Sequence, residues 1–137
     1  MSSVEFDILL VEDDPMTRLI MRSLLQESGY RVREVDEGHL AVTTLQEEGA
    51  DLVVLDYYLP DMNGSDVLKA LGRLLEKMPV IVVTGYDDPR LAEGVLEAGA
   101  SRFVHKDSDC KYLRELPEIV AETLAQKKLT QNKSISH

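Results

Sequence analysis

The sequence alternates strictly between short apolar runs and longer amphipathic stretches, and this alternation constrains the fold more than any other feature. A short apolar run predicts a buried β-strand, whereas apolar residues spaced three and four apart predict a helix that buries one face. Five strand–helix pairs follow one another, with turn residues between them. Because a helix separates each strand from the next, we expect parallel strands with helices on both faces of the sheet.

The boundaries of these elements follow from the periodicity and from the glycine and proline residues at the turns. The predicted strands cover residues 6–11, 30–35, 52–55, 80–83 and 102–105, and the predicted helices cover 15–28, 38–48, 65–76, 89–98 and 111–128. The second strand is more polar than the others, which predicts an edge position and favours the strand order 2-1-3-4-5. The expected fold class is α/β, a doubly wound five-stranded parallel sheet between two helix layers.

A single domain accounts for the periodic part of the chain. The pattern spans residues 6–128, whereas residues 129–137 are polar and lack periodicity. We therefore expect one domain over 6–128, followed by a polar, disordered tail. The sequence shows neither an internal repeat nor the pattern of a second domain.

Charge and composition narrow the classes of partner. The chain has 15 Lys and Arg against 25 Asp and Glu, a formal net charge of −10, which opposes binding to nucleic acid and to anionic membrane lipids. The single cysteine, Cys110, cannot form an intramolecular disulfide, and no Cys/His cluster has the spacing of a zinc site. Without an apolar run of membrane-spanning length or the features of a signal peptide, the chain is expected to be cytoplasmic.

The residues able to carry chemistry lie where the predicted strands end. In doubly wound folds ligands bind beyond the carboxyl ends of the strands, because the loops there meet at one edge of the sheet. Six such residues follow or close four of the strands: Glu12, Asp13, Asp14, Asp56, Thr84 and Lys106. The sequence thus predicts a cluster of acids with one hydroxyl and one ammonium.

Several carboxylates at close quarters repel one another, and a bound cation is the simplest way to keep them ionised. Oxygen ligands with room for water favour Mg2+ over Ca2+. The alternative for Glu12, Asp13 and Asp14 is a helix N-terminus, with Asp14 as the cap and the acids favoured by the helix dipole. Capping explains Asp14 but not the two acids before it, and for the triplet alone both interpretations stay open.

Asp56 is harder to explain as a structural residue. A carboxylate that closes the apolar strand Leu-Val-Val-Leu is costly to bury unless it is paired or coordinated. Beside a metal ion and a lysine, it would be an ionised oxygen nucleophile suited to phosphoryl transfer. Lys106 and Thr84 would supply an ammonium and a hydroxyl to the phosphoryl oxygens.

Four motifs, LLVEDDP, VVLDYYLPDMNG, VVTGYDD and FVHK, stand in the order and approximate spacing of the signatures of response-regulator receiver domains. The chain resembles this family from about residue 6 to residue 128. The resemblance implies a CheY-like, flavodoxin-like three-layer sandwich that serves two-component or phosphorelay signalling. Such a domain takes a phosphoryl group from a phosphohistidine on a sensor histidine kinase or phosphotransfer protein, with Mg2+ as cofactor. It is a switch that catalyses only its own phosphorylation and dephosphorylation.

The resemblance also implies roles for individual residues. Asp56 would be the phosphoacceptor, while Thr84 and Lys106 would hold the phosphoryl oxygens. Mg2+ would be bound directly by Asp13 and Asp56, through water by Glu12, and by the backbone carbonyl of Tyr58.

Three aromatic residues extend these roles by the same resemblance. Phe103 matches the aromatic that changes rotamer when the threonine, here Thr84, moves toward the phosphoryl group. Tyr58 and Tyr86 flank the approach of water to the aspartyl phosphate and would gate dephosphorylation. Signalling would reach a downstream output module, or a second copy of the chain, through the face formed by the fourth helix, fifth strand and fifth helix.

One departure from the family pattern concerns the residue after Lys106. The family usually has a proline there, often after a cis peptide bond, whereas this chain has Asp107. A cis bond before a residue other than proline costs about 3 kcal/mol, so we expect a trans bond before Asp107.

The main alternative is a small-molecule phosphohydrolase of the haloacid-dehalogenase kind, which also combines an aspartate nucleophile, Mg2+, a threonine and a lysine. That family carries its nucleophile on its first motif strand and needs a second aspartate two residues later, where this chain has Tyr58. A flavodoxin would need a Ser/Thr/Gly-rich loop after the first strand, and a P-loop enzyme would need Gly-x-x-x-x-Gly-Lys. The sequence has neither.

A second alternative concerns the extent of the natural protein. The chain is either a free-standing receiver or the first module of a longer protein. Residues 106–117 loosely resemble receivers that precede sensory or catalytic modules.

Overall fold

The computed structural model describes residues 5–135 and contains the predicted alternation of strands and helices. The strands are β1 (Asp7–Val11), β2 (Arg31–Val35), β3 (Leu52–Asp56), β4 (Val80–Thr84) and β5 (Arg102–His105). The helices are α1 (Pro15–Glu27), α2 (Gly38–Glu47), α3 (Gly64–Leu71), α4 (Pro89–Glu97) and α5 (Lys111–Ile135). The elements therefore follow the predicted order.

The strands form one parallel sheet in the order β2-β1-β3-β4-β5, which confirms the predicted order. The polar strand β2 lies at an edge, where only one side of its backbone needs a partner strand. β1, β3 and β4 are central and almost fully buried. Because all the strands are parallel, the carboxyl ends of these three lie at the same edge of the sheet, between those of β2 and β5.

Two apolar cores form because successive side chains of a strand point to opposite faces of the sheet. The core under α2, α3 and α4 contains Leu9, Val53 and Val82. The core under α1 and α5 contains the intervening residues, among them Ile8 and Val54. Because helices cover both faces of the sheet, solvent reaches the central strands at their ends, beside the connecting loops.

The third helix is shorter than predicted. We expected one helix over 65–76, but α3 ends at Leu71 and a 3-10 helix, Gly72–Glu76, follows it. Gly72 has a φ of 51°, a conformation that glycine adopts at little cost and that ends the α-helical pattern. The apolar periodicity continues through this break, which is why the sequence predicted a single helix.

The last helix is longer than predicted. We expected it to end near Lys128 and to be followed by a disordered tail, but α5 continues to Ile135, so the tail prediction is wrong for residues 129–135. This segment has neither glycine nor proline and contains helix-forming Leu, Gln and Lys. Residues 136–137, the end of the predicted tail, lie outside the described residues. No helix within residues 5–135 is long and apolar enough to cross a membrane.

Candidate functional site

The carboxyl ends of β1, β3 and β5 bring three carboxylates and one ammonium together. Carboxylate oxygens of Glu12, Asp13 and Asp56 all lie within 4.8 Å of one another. Lys106 Nζ donates a hydrogen bond to Glu12 Oε1 at 2.8 Å and lies 3.4 Å from Asp56 Oδ1. These four residues, selected from separate parts of the sequence, thus form one acidic cluster.

The sheet register and one backbone hydrogen bond place Thr84 between Asp56 and Lys106. Asp56 is the last residue of β3 and pairs with Val83 of β4, so Thr84 lies one residue further along the neighbouring strand. Thr84 is fully buried, and its carbonyl accepts a hydrogen bond from the backbone N–H of Lys106 at 2.7 Å. Thr84 therefore stands between the strand that carries Asp56 and the one that leads to Lys106.

Burial and like charge dominate the electrostatics of Asp56. The pKa of Asp56 is raised to about 8, first by desolvation and then by the neighbouring Glu12 carboxyl, while the Lys106 ammonium opposes both effects. For Lys106, burial lowers the pKa, but the hydrogen bond to Glu12 and the charges of Asp56 and Glu12 outweigh it and raise the pKa. One ammonium is thus insufficient to neutralise the carboxylates around it.

Glu12 is the most constrained acid of the cluster. Its side chain is 2% exposed, and only Oε1 has a hydrogen-bond partner, since Oε2 is buried without one. A buried carboxylate oxygen without a partner is costly and is uncommon in native proteins. A hard divalent cation with bound water would give this oxygen a partner and would offset the charge of the three carboxylates. Because all the donor atoms are oxygens, the residues fit Mg2+.

Asp14 has a different task from the two acids before it. Its Oδ2 accepts hydrogen bonds from the backbone N–H of Thr17 at 2.9 Å and from the Thr17 hydroxyl at 2.6 Å. These bonds lower the pKa of Asp14. Asp14 therefore caps α1, as the helix-terminus interpretation predicted, whereas Glu12 and Asp13 join the acidic cluster.

Tyrosine rings cover the loops beside the acidic cluster. Tyr58 and Tyr86 pack edge to face, with ring centroids 5.0 Å apart, and are 51% and 63% exposed. On the inner side, Tyr57 packs against Tyr58 with centroids 4.8 Å apart and is buried. The three rings join the loop after β3 to the loop after β4.

The loop after Asp56 is tied to two helices. Asn63 caps α3 through a capping box with Asp66. Asp61 accepts hydrogen bonds from the backbone N–H groups of Gly38 and His39, both at 2.8 Å, and so caps α2 from a distant loop. Sequence reasoning missed this cap. The available signal was indirect: Glu37, the local N-cap residue of α2, is not a preferred capping residue, and in the structure it makes no side-chain capping bond.

Arg18 is a second residue that sequence reasoning missed, because its spacing placed it on the polar face of α1. Its Nη1 donates to the carbonyl oxygen of Glu12 at 2.9 Å, and its Nε lies 3.7 Å from Glu34 Oε2. Arg18 therefore fixes the backbone of the strand end that carries the acids. Nothing in the local pattern distinguishes it from a solvated arginine.

The remaining predicted residues lie near the β4–β5 edge. Phe103 pairs with Val82 in the sheet and packs, half-buried, against the core under α4. The bond before Asp107 is trans, as predicted, since residues 5–135 contain no cis peptide. The Asp107 side chain accepts hydrogen bonds from the backbone N–H groups of Lys111 and Tyr112, both at 2.9 Å.

Comparison with known proteins identifies relatives of this arrangement. Residues 8–118 match the family described as the response regulator receiver domain. A cyclic di-GMP phosphodiesterase of Thermotoga maritima is 36% identical over 107 residues, which are 78% of this chain and 28% of that protein. The transcriptional regulatory protein ZraR of Klebsiella oxytoca is 31% identical over 132 residues, which are 96% of this chain and 29% of that protein. The chain spans less than a third of the length of either relative.

Solved structures share the fold. A receiver domain protein (CheY-like) from Methanospirillum hungatei has a TM-score of 0.83 at 28% identity, covering 93% of this chain and 99% of that one. A two-component response regulator of the LuxR family from Aurantimonas has a TM-score of 0.81 at 29% identity, covering 90% of this chain and 87% of that one.

Proposed function

This chain belongs to the response regulator receiver domain family, as its motifs predicted, and we propose that Asp56 accepts a phosphoryl group from a phosphohistidine in a Mg2+-dependent reaction. The observation that carries the proposal is the cluster of Glu12, Asp13 and Asp56, with the Lys106 ammonium beside Glu12 and Asp56. The family match favours this function over the phosphohydrolase alternative.

Asp56 is the proposed nucleophile. The bond between phosphorus and the histidine nitrogen breaks as a bond forms between phosphorus and an Asp56 carboxylate oxygen. Lys106, 3.4 Å from Asp56 Oδ1, is close enough to donate to a phosphoryl oxygen with little movement. Thr84, at the end of the neighbouring strand, supplies a hydroxyl to a second oxygen. In phosphoryl transfer the protein acts mainly by positioning groups and by neutralising charge on these oxygens.

Asp13 and Asp56 would bind Mg2+ directly, Glu12 through water, and Tyr58 through its backbone carbonyl. When bound, Mg2+ would offset the carboxylate charge and stabilise the negative charge that develops on the phosphoryl oxygens. The raised pKa of Asp56 supports a bound cation here. With only one ammonium beside them, the clustered carboxylates favour a proton on one carboxyl, and a metal ion would supply the missing positive charge instead.

The proposed partner is a sensor histidine kinase or a phosphotransfer protein that presents the phosphohistidine. Met16, Leu19 and Ile20 on α1 are 64%, 45% and 38% exposed. They lie at helical spacings of three and four at the start of the helix that follows the acids after β1, so they form one apolar stripe beside the acidic cluster. Such a stripe suits docking of an apolar helical surface better than docking of nucleic acid.

Thr84 and Phe103 are proposed to transmit the signal. The Thr84 hydroxyl accepts a hydrogen bond from the backbone N–H of Tyr86 at 3.3 Å, so its position is coupled to the loop that precedes α4. Movement of this hydroxyl toward a phosphoryl group would free space for the half-buried Phe103. The altered face of α4, β5 and α5 would then act on an output module or a second copy of the chain.

Tyr58 and Tyr86 are proposed to slow the loss of the phosphoryl group by covering the path of the attacking water. We also propose that the domain is a signalling switch rather than an enzyme with a separate substrate, and that it acts in the cytoplasm. We also propose that residues 6–128 suffice for this function.

Incubation with Mg2+ and acetyl phosphate, followed by intact-mass spectrometry, tests the proposal. The wild type should gain the mass of one phosphoryl group, and Asp56→Asn should not. Asp87→Asn, which changes an exposed acid in the loop after β4, is the matched control and should be modified like the wild type. Modification of Asp56→Asn to the wild-type extent, or rapid turnover of generic phosphate esters by the wild type, would contradict the proposal.

A further inference from the structure

The backbone of Lys106 is anchored on both sides. Before it, the N–H of Lys106 donates to Thr84 O at 2.7 Å and joins the residue to the sheet. After it, the carboxylate of Asp107 accepts from the N–H of Lys111 through Oδ2 and from the N–H of Tyr112 through Oδ1, each at 2.9 Å. Asp107 thus uses both oxygens to hold the first two residues of α5.

The start of α5 is a rigid anchor for this carboxylate. Tyr112 is 7% exposed, and Leu116 and Val120, one and two turns later, are fully buried against the sheet. The segment between is closed by a hydrogen bond from the N–H of Cys110 to Asp107 O at 3.0 Å. The main chain beside Lys106 therefore has fixed contacts with both the sheet and the core.

The anchored backbone of Lys106 bears on phosphoryl transfer through the long side chain that it carries. Four methylene groups link the Lys106 backbone to the ammonium that lies between Glu12 and Asp56, so the position of the backbone determines which side-chain rotamers reach both carboxylates. A misplacement of about 1 Å can cost on the order of a hundredfold in rate when a reaction depends on orientation.

We propose that Asp107 is a positioning residue for phosphoryl transfer, which holds the Lys106 ammonium between Glu12 and Asp56 by clamping the adjacent backbone to the start of α5. The proposal rests on the function proposed above. Asp107 acts through Lys106 and does not touch the phosphoryl group. Its contribution should therefore disappear when the ammonium is absent.

The primary test compares rates of phosphorylation by acetyl phosphate with Mg2+, measured by intact mass. Asp107→Ala should react slower by on the order of tenfold to a hundredfold. Asp107→Asn keeps one acceptor oxygen of the two and should fall between Asp107→Ala and the wild type. The control is Asp51→Ala, which also removes a carboxylate–backbone hydrogen bond, from Asp7 N to Asp51 Oδ2 at 2.7 Å, but at the opposite end of the sheet. It should react like the wild type.

A double-mutant cycle separates positioning from general damage to the fold. In a Lys106→Ala background, Asp107→Ala should cause no further loss of rate, because no ammonium remains to be positioned. An equal loss in both backgrounds, or an equal loss in Asp51→Ala, would overturn the proposal.

A readout without phosphorylation keeps this proposal distinct from the proposed function. The Lys106 ζ-ammonium should give a hydrogen-bonded 15N NMR signal in the wild type and in Asp51→Ala, and this signal should be lost in Asp107→Ala. Its retention in Asp107→Ala would refute the positioning role. Failure of the wild type to be phosphorylated would instead refute the function, while the NMR comparison would still decide how Lys106 is held.

Discussion

Lys106 and Glu12, 94 residues apart in the sequence, are joined by a hydrogen bond of 2.8 Å between Nζ and Oε1. The bond links the ends of β5 and β1, which are separated in the sheet by β3 and β4. Glu12 is almost fully buried, and this ammonium is the partner of its one satisfied carboxylate oxygen. The lysine proposed to bind phosphoryl oxygens therefore also stabilises the resting fold.

Replacement of Lys106 should destabilise the protein. Lys106→Met keeps the apolar stem but leaves the Glu12 carboxylate buried without a partner, and breaking such a pair costs about 3 kcal/mol or more. We expect the free energy of unfolding in urea to fall by about that amount and to recover in part with Mg2+. The control is Lys69→Met on the exposed side of α3. Equal stability of the two variants would show that the Glu12–Lys106 pair contributes little.

Mg2+ should stabilise the wild type through Asp13. A ligand at ten times its Kd stabilises the folded state by about 1.4 kcal/mol, so the Tm should rise with Mg2+ concentration. Asp13→Ala removes a carboxylate of the acidic cluster and should abolish most of this rise. Glu93→Ala, which removes an exposed acid of α4, should respond to Mg2+ like the wild type. If all three proteins respond alike, Asp13 is not a ligand.

Asp61 should contribute stability that is lost in acid. Desolvation raises the pKa of Asp61, but hydrogen bonds from His39 and Gly38 outweigh it and lower the pKa from 3.8 to about 2. Because the folded value lies below the unfolded one, the stabilisation is complete above pH 3.8 and disappears as the pH falls toward about 2. Asp61→Ala should therefore cost about 1 kcal/mol at neutral pH, as for other lost helix caps.

Urea unfolding of both proteins across this pH range is the appropriate measurement for Asp61. The difference in free energy between the wild type and Asp61→Ala should shrink as the pH falls below 3.8. A difference that is independent of pH would mean that the charge of Asp61 does not act through the cap of α2.

The sequence predicted the fold and the acidic cluster for one physical reason. Parallel strands end at a common edge, so residues such as Asp56 and Lys106 could be placed together once the strands were recognised. The contacts of Arg18, Asp61 and Asp107 could not be predicted in this way. Each of them depends on the course of a loop or on a long side chain, which periodicity does not describe.

The two errors at helix ends have the same origin. Apolar periodicity runs through the break at Gly72, and it stops before the end of α5 at Ile135. The pattern reports which residues face the core, but a helix can end in a glycine turn within a periodic stretch or continue into solvent beyond it. Core position was therefore predicted more reliably than helix length.

The aromatic contact between Tyr58 and Tyr86 leads to a prediction about the lifetime of the phosphorylated state. Hydrolysis requires a water molecule in line with the bond between phosphorus and Asp56. The two rings, with centroids 5.0 Å apart, lie in the loops after β3 and β4, which flank the proposed approach. We expect the wild type to lose its phosphoryl group more slowly than a variant without the two rings.

Removal of both rings should accelerate this loss. The decay of phosphorylated protein, followed by intact mass, should be faster for the double variant Tyr58→Asn with Tyr86→Ala than for the wild type. The matched control, Tyr58→Phe with Tyr86→Phe, keeps both rings and should decay as slowly as the wild type if the rings exclude water. A tyrosine hydroxyl that orients the attacking water would have the opposite effect, and the phenylalanine variant would then decay more slowly than the wild type. If removal of the rings leaves the decay unchanged, the rings do not shield the phosphoryl group and Tyr58 and Tyr86 are not a gate.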